Sequence, residues 1–162
     1  MSTRVGIGYD SHRFSAGRPL RLGGVTVPHT HGLAGHSDGD VALHAVVDAL
    51  LGAAAIGDIG SFFPDDDPQW KGADSTRFVK KVVETLQQDR LAVQQVDVTI
   101  IAERPKLADK IGAMRAATAK ALGVDMGAVS IKAKTNEGMG WIGRGEGIAA
   151  IAVATVIQAA TG

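Results

Sequence analysis

Two short pairs of histidine and aspartate have the spacing of a metal site. Asp10 and His12 are two residues apart, so both side chains project from one face if the segment is extended. His44 and Asp48 are four residues apart and share one face of a helix. One carboxylate and two imidazoles around a point, with a fourth position open, are typical of catalytic zinc. The pattern therefore predicts a zinc site of Asp10, His12 and His44, with Asp48 orienting His44 from behind.

Each of these patterns also has a simpler interpretation. An Asp-x-His pair is more often a turn or a surface feature than a metal site. The segment His-Ser-Asp-Gly-Asp at 36–40 could be only an Asx turn and a helix cap. His29 and His31 lie in a turn flanked by Pro and Gly, and we interpret them as surface residues. Spacing alone leaves these alternatives open.

A metal site of this kind needs a strand around Asp10 and a helix that begins before His44. Alternation over 4–10 predicts the strand, and Asp40 predicts the N-cap of a helix that runs to about Ala55 and is ended by Gly57. The remaining predictions are a hairpin over 20–27 that turns at 23–24, a loop over 61–70, helices over 75–88 and 107–122, strands over 93–102 and 129–133, and a glycine-rich loop over 137–147. The run 148–157 could be strand or helix, and its Val, Ile and Thr residues favour a strand. This order predicts an α+β domain with helices layered on one sheet.

Composition limits the function further. The 162 residues fit one domain, 1–162, and Lys plus Arg equals Asp plus Glu at 17 each, so no basic field for nucleic acid or an anionic membrane is expected. The absence of cysteine restricts a metal to imidazole and carboxylate ligands. The longest apolar run, 148–160, is too short to span a bilayer and no signal peptide is visible, which predicts a soluble cytoplasmic protein. Residues 36–70 hold seven Asp and no Lys or Arg, which indicates either a solvated acidic surface or a cation site; the neighbouring histidines favour a cation site.

Longer segments resemble a known family. They are GYDSHRF (8–14), HSDGDVALHAVVDALLGAAAIGDIG (36–60), FPDDDP (63–68), DVTIIAERPKL (97–107) and GRGEGIA (143–149). Together they are similar to the 2-C-methyl-D-erythritol 2,4-cyclodiphosphate synthases. The resemblance implies a chorismate-mutase-like domain with a mixed sheet covered on one face by helices, assembling as a homotrimer through the sheets. It also implies the conversion of 4-diphosphocytidyl-2-C-methyl-D-erythritol 2-phosphate to the cyclic diphosphate plus CMP, in the non-mevalonate isoprenoid pathway.

The same resemblance implies roles for individual residues. Asp10, His12 and His44 would bind one Zn²⁺ per chain, Glu137 a Mg²⁺ or Mn²⁺ on the substrate diphosphate, and His36 and Thr135 would assist the transition state. Sugar contacts would come from Ser37, Asp58, Ile59, Gly60, Phe63, Pro64, Asp65, Asp66 and Asp67. The cytidine diphosphate pocket and its surroundings would comprise Ala102, Glu103, Arg104, Pro105, Lys106, Leu107, Ala108, Lys134, Asn136 and Trp141. Arg144 would either form a surface ion pair with Glu146 or face a central cavity that takes an isoprenoid diphosphate.

Two other functions fit the metal ligands. A metal-dependent phosphohydrolase would use them to activate water on a nucleotide diphosphate. A scaffold or nucleotide-binding protein would use a metal only to tie strands together, without an open coordination position. Neither alternative accounts for the long match over 36–60.

Overall fold

The computed structural model describes residues 2–158, which form seven β-strands and five α-helices. The strands are β1 (Ser2–Ala16), β2 (Leu20–Leu22), β3 (Val25–Val27), β4 (His31–Leu33), β5 (Leu91–Ile101), β6 (Val129–Lys134) and β7 (Gly147–Gln158). The helices are α1 (Val41–Ala54), α2 (Ile59–Phe62), α3 (Thr76–Gln88), α4 (Ile111–Leu122) and α5 (Gly140–Gly143). Among these residues, no helix is long and apolar enough to cross a membrane.

Five strands form one mixed sheet in the order β4-β1-β7-β5-β6. β1 and β7 pair antiparallel along almost their whole length, and β5 pairs antiparallel with β7 but parallel with β6. β2 and β3 form a separate hairpin that turns at Gly23 and Gly24, as predicted. The mixed sheet and the strand assignment of β7 confirm the predicted α+β class.

The close packing of α1 on the sheet depends on two glycines of β1. A Cβ atom on Gly6 would lie 2.0 Å from the Ala49 carbonyl oxygen, and one on Gly8 would lie 1.9 Å from the Ala45 carbonyl oxygen. No side chain fits there, so the backbones of helix and strand approach each other directly. This contact lays His44 of α1 beside the part of β1 that carries Asp10 and His12.

The other face of the sheet is apolar and exposed in the single chain. Ile7 of β1 pairs with Val153 of β7, and Tyr9 pairs with Ile151. Their exposed fractions are 70% for Ile7, 56% for Tyr9, 38% for Val153 and 36% for Ile151. Val5, 64% exposed, continues the patch along β1. The helices therefore cover one face of the sheet, as predicted, and leave a continuous apolar surface on the other.

Element boundaries differ from the prediction where short polar caps create extra turns. The predicted loop 61–70 lies next to α2, which begins at 59 because Asp58 and Ser61 form a reciprocal capping box. The same loop contains a 3₁₀ turn, Pro68–Trp70, capped by Asp67. α1 ends at Ala54, and its C-cap is Ala55, with a left-handed φ of 60°, and not Gly57 as predicted; the Ala55 N–H donates to the Gly52 and Leu51 carbonyls.

Two further boundaries move for similar reasons. The helix predicted to begin at 107 starts with a 3₁₀ turn, Ala108–Lys110, before α4. The predicted glycine-rich loop contains the single turn of α5. Gly123, with φ of 70°, ends α4 as predicted.

Candidate metal centre and substrate pockets

Asp10, His12 and His44 bring one ligand atom each to a common point. Asp10 Oδ2 lies 2.8 Å from His12 Nε2 and 3.0 Å from His44 Nδ1, and the two imidazole nitrogens are 3.1 Å apart. β1 supplies the first two ligands from one face, as the two-residue spacing predicted, and α1 supplies the third. The three ligand types predicted to lie together do so.

The donor set fits a zinc ion. Ligands around tetrahedral zinc stand about 3.3 Å apart, close to the observed triangle. His12 Nδ1 lies 2.5 Å from the Ala34 carbonyl oxygen. Because a carbonyl only accepts, Nδ1 carries the proton, and in the neutral ring Nε2 turns a lone pair toward Asp10 and His44. Lone pairs and a carboxylate meeting in this way call for a cation.

The pKa values of the metal-free site reflect the close approach of these three side chains. Burial favours the neutral acid of Asp10, but hydrogen bonds and charge from His12 and His44 in their protonated forms outweigh it and lower the Asp10 pKa from 3.8 to about 2. Burial likewise opposes the imidazolium of His12, but Asp10 outweighs it, so the His12 pKa rises above 6.5. In the absence of metal, a proton on His12 Nε2 therefore lies where a metal cation would bind, and metal binding must displace it.

The prediction that Asp48 orients His44 is wrong. Asp48 Oδ1 accepts a hydrogen bond from the backbone N–H of Ile59 at 2.8 Å, which ties α1 to α2. Within residues 2–158, the Nε2 of His44 instead meets two hydroxyls, Ser75 Oγ at 2.9 Å and Ser37 Oγ at 3.1 Å. A spacing of four residues placed Asp48 on the correct helix face, but His44 turns its ring toward α3 and the loop before α1.

The segment 36–40 has both of the functions that the sequence left open. Asp40 caps α1 through the Leu43 N–H and also accepts from the N–H groups of Gly23 and Gly24. Asp38 forms an Asx turn with the Asp40 N–H. His36 and Ser37 line the cleft around the metal centre. His29 and His31 are exposed, as predicted.

A cleft of about 230 Å³ surrounds the three ligands. Of the predicted sugar contacts, those that line it are Ser37, Ile59, Gly60, Phe63 and Asp65. The others lie beside it: Asp58 caps α2, Pro64 and Asp66 belong to the adjacent loop, and Asp67 accepts the Nε2–H of His36 on its carbonyl oxygen at 3.0 Å. That bond fixes the orientation of the His36 ring at the mouth of the cleft.

Sequence reasoning missed the aromatic wall of this cleft. Trp70 and Phe78 line it together with Phe63, and the Phe63 and Phe78 rings stack with centroids 4.3 Å apart. Trp70 packs edge-on against both, with centroids at 5.0 and 5.3 Å. A lone Trp in an acidic loop was the only sequence signal, since Phe78 resembles an ordinary core residue of an amphipathic helix.

A second, larger pocket of about 650 Å³ lies at the ends of β5 and β6. The predicted residues that line it are Ala102, Glu103, Pro105, Lys106, Leu107, Ala108, Lys134 and Thr135. Arg104 and Asn136 are adjacent in sequence to these residues but do not line the pocket. The lining residues that the sequence did not predict are Ile111, Ile131, Lys132 and Ala133. Lys106 and Lys134 give this pocket positive charge, whereas Lys132 is paired with Asp97 at 2.7 Å, and Leu107, Ile111 and Ile131 add apolar surface.

Glu103 holds the loop that follows β6. Its Oε1 accepts the backbone N–H of Asn136 at 2.8 Å and that of Gly138 at 3.1 Å. The residue between them, Glu137, has a left-handed φ of 52°. Successive N–H groups around a left-handed residue form an anion-binding concavity, and Glu103 fills it from within the chain.

Trp141 and Arg144 lie apart from both pockets. Trp141 borders a small cavity with His12 and Glu146, and His12 also lines the cleft around the three ligands. Arg144 Nε donates to Glu146 Oε2 at 2.8 Å, and the Arg144 side chain is 66% exposed. The ion pair that the sequence offered as one interpretation is therefore present.

The metal cleft and the lysine-rich pocket have no lining residue in common. His36 belongs to the first, and Thr135 belongs to the second. One chain therefore holds His36 and Thr135 in two separate pockets.

Known proteins resemble the chain along nearly its whole length. The model of the YgbB family matches residues 3–157. A 2-C-methyl-D-erythritol 2,4-cyclodiphosphate synthase of Salinibacter ruber is 56% identical over 96% of this chain and 99% of its own length. The bifunctional IspDF from Campylobacter jejuni has a TM-score of 0.92 at 39% identity, covering 96% of this chain and 42% of that longer chain.

A solved 2C-methyl-D-erythritol-2,4-cyclodiphosphate synthase in a CDP-bound form has a TM-score of 0.87 at 35% identity. It covers 95% of this chain and 100% of its own. This similarity in both sequence and fold agrees with the family resemblance that the sequence segments indicated. The chain therefore belongs to the YgbB family, in which relatives such as the Salinibacter ruber protein are named 2-C-methyl-D-erythritol 2,4-cyclodiphosphate synthases.

Proposed function

We propose that this chain is a 2-C-methyl-D-erythritol 2,4-cyclodiphosphate synthase, a lyase of the non-mevalonate isoprenoid pathway. It converts 4-diphosphocytidyl-2-C-methyl-D-erythritol 2-phosphate to the cyclic 2,4-diphosphate plus CMP. The observation that carries this conclusion is the convergence of Asp10, His12 and His44 in a cleft that His36 and Ser37 also line. Family membership supplies the substrate.

The reaction is an intramolecular substitution at phosphorus. An oxygen of the 2-phosphate forms a bond to the β-phosphorus, and the bond from that phosphorus to the bridging oxygen breaks. CMP leaves with the electron pair. The nucleophile is already ionised near neutral pH, so the obstacle is repulsion between anionic phosphates and not the removal of a proton.

Cations bound at two sites would reduce this repulsion. Asp10, His12 and His44 would hold Zn²⁺, and the exposed carboxylate of Glu137 would hold a hydrated Mg²⁺ or Mn²⁺ beside the diphosphate. When bound, these cations supply positive charge that offsets the repulsion and the charge developing on CMP.

The residues of the chain orient the substrate and exclude water. His36 and Thr135 are assigned to assist the transition state, and the carbonyl of Asp67 fixes the ring of His36. Ser37, Gly60, Asp65 and their neighbours are assigned to the erythritol. The Phe63, Trp70 and Phe78 rings form an apolar wall along this cleft, which favours attack by the tethered phosphate over attack by water.

The pocket at the ends of β5 and β6 is assigned to the cytidine diphosphate. Its lysines suit an anionic diphosphate, and Pro105 and Leu107 offer an apolar surface for the base. A structural relative was solved in a CDP-bound form, which supports this assignment.

A homotrimer with shared active sites would join the two pockets, the metal cleft of one chain and the lysine-rich pocket of its neighbour. The apolar face that carries Ile7, Tyr9 and Val153 is a suitable subunit interface, because exposed patches of this kind mark association surfaces. In a cyclic, chorismate-mutase-like trimer, the metal cleft of one chain would face the lysine-rich pocket of the next. An isoprenoid diphosphate beside Arg144 in the central cavity remains a prediction.

Incubation with the authentic substrate, Zn²⁺ and Mg²⁺ in H₂¹⁸O tests the function directly. We expect CMP and a cyclic diphosphate that contains no solvent oxygen. A linear product carrying ¹⁸O would identify a metal-dependent phosphohydrolase, and zinc binding without turnover would identify a scaffold.

A further inference from the structure

Ser75 stands at the N-cap position of α3 but does not cap the helix. Its side chain makes no hydrogen bond to the first turn of α3. The free N–H of Thr76 is satisfied by Asp74 instead. Ser75 is completely buried, and its hydroxyl points out of the helix toward His44 and Asp38. An N-cap serine usually accepts a backbone N–H of the first turn, so the Ser75 hydroxyl is free to bond to other partners.

The hydrogen bonds of Ser75 define a direction. Its Oγ lies 2.5 Å from Asp38 Oδ1, and a carboxylate only accepts, so the hydroxyl proton of Ser75 is directed to Asp38. The oxygen is then an acceptor toward His44 Nε2, which lies 2.9 Å away. His44 must therefore carry its proton on Nε2, which leaves a lone pair on Nδ1.

That lone pair is the one that points at Asp10 and His12. The opposite tautomer would turn an N–H into the metal position. Asp38 itself is held firmly, since it also accepts the backbone N–H groups of Ser75 and Asp40 and lies 3.8 Å from Arg21 Nε. Metal-binding histidines are commonly set in this way by a carboxylate on the second ring nitrogen.

We infer that Asp38 and Ser75 form a relay that fixes the tautomer and the ring orientation of His44 and so prepares it to bind the metal. Both are positioning residues, because they act through His44. Ser37, at 3.1 Å from the same Nε2, has a weaker share, because its hydroxyl has no carboxylate partner to orient it among the described residues. This inference rests on the zinc centre of the proposed function.

Zinc affinity measured by competition with a chromogenic chelator tests the relay. We expect Ser75→Ala to bind zinc about 10- to 100-fold more weakly than wild type, and Asp38→Asn to weaken binding in the same direction. Thr118→Val is the matched control, since it removes another buried hydroxyl, whose one hydrogen bond within residues 2–158 is to the Gly23 carbonyl. Its zinc affinity should be unchanged.

A second readout separates positioning from general loosening. In zinc-loaded wild type, the Nε2 proton of His44 should give a downfield NMR signal that exchanges slowly with water, and Ser75→Ala should lose or broaden it. Wild-type affinity and an unchanged signal in Ser75→Ala would overturn the relay, as would equal zinc loss in Thr118→Val. Should Ser75→Ala fail to fold, Asp38→Asn decides the question by the same two measurements.

The outcomes also separate the relay from the proposed function. Wild type that binds zinc while Ser75→Ala and Asp38→Asn bind it equally well refutes only the relay. Wild type that binds no zinc removes the proposed metal centre and the relay with it.

Discussion

Oε1 of Glu103 accepts the backbone N–H of Asn136 at 2.8 Å, so the end of β5 fixes the start of the loop that carries Glu137. The same oxygen also accepts the N–H of Gly138. The two bonds bracket Glu137 and hold its left-handed backbone. The position of the proposed second metal ligand thus depends on a residue 34 positions earlier in the chain.

Glu103→Ala should lower kcat/KM by at least about tenfold, because it removes the acceptor of both charge-assisted hydrogen bonds to the loop. Glu103→Gln keeps an acceptor oxygen and should retain most activity. The Mg²⁺ concentration for half-maximal rate should rise in Glu103→Ala, because Glu137 would be less well placed. The exposed Glu84→Ala on α3 is the control. A higher KM with an unchanged Mg²⁺ requirement would mean that Glu103 contacts the substrate instead of positioning the loop.

Purified wild type should hold about one zinc per chain, and His44→Ala or Asp10→Ala should lose it, because two ligands do not complete the site. Elemental analysis of the dialysed proteins measures this. Asp48→Asn is the control on the same helix, and it should keep its zinc because Asp48 bonds to Ile59. Undiminished zinc in both ligand variants would refute the assigned centre.

Glu137→Ala should keep its zinc but lose activity, and high Mg²⁺ or Mn²⁺ should restore part of it. The reason is that loss of one carboxylate from a largely hydrated site weakens occupancy more than it changes geometry. Steady-state CMP release over a range of Mg²⁺ concentrations is the measurement. Zinc loss in this variant would place Glu137 at the other metal.

Zinc affinity should fall as the pH is lowered through the His12 pKa, which lies above 6.5 in the metal-free protein. The sign follows because protonated His12 offers no lone pair, so each bound zinc must displace a proton. Below that pKa the affinity should fall about tenfold per pH unit. Chelator competition between about pH 5.5 and 8.5 measures it. An affinity independent of pH in this range would contradict the proposed competition.

Mixing His44→Ala and Glu137→Ala chains should restore activity, because the two variants damage opposite halves of a site shared between neighbours. With random assembly, about three-quarters of trimers are mixed and each regains one site in three, so about a quarter of wild-type activity should return. Co-refolding followed by an activity assay is the test, with native mass spectrometry to confirm subunit exchange. Mixed trimers no more active than the separate variants would place each site within a single chain.

Local patterns in the sequence determined much of this protein. The two-residue spacing of Asp10 and His12 predicted their shared strand face, and Asp40 predicted the start of the helix that carries His44. The β-branched run after 147 predicted β7. These features depend on backbone periodicity and on capping within a few residues, which a sequence displays directly.

Only the tertiary structure decided what surrounds the metal centre. Asp48 was expected behind His44 because it is four residues away, but Ser75, 31 residues away, occupies that place. Trp70 and Phe78 became a cleft wall, and Glu103 became the anchor of a distant loop. Such contacts join elements far apart in the chain, and their partners are set by how α1 and α3 pack on the sheet. Periodicity determines the face on which a side chain lies, whereas packing determines its neighbour.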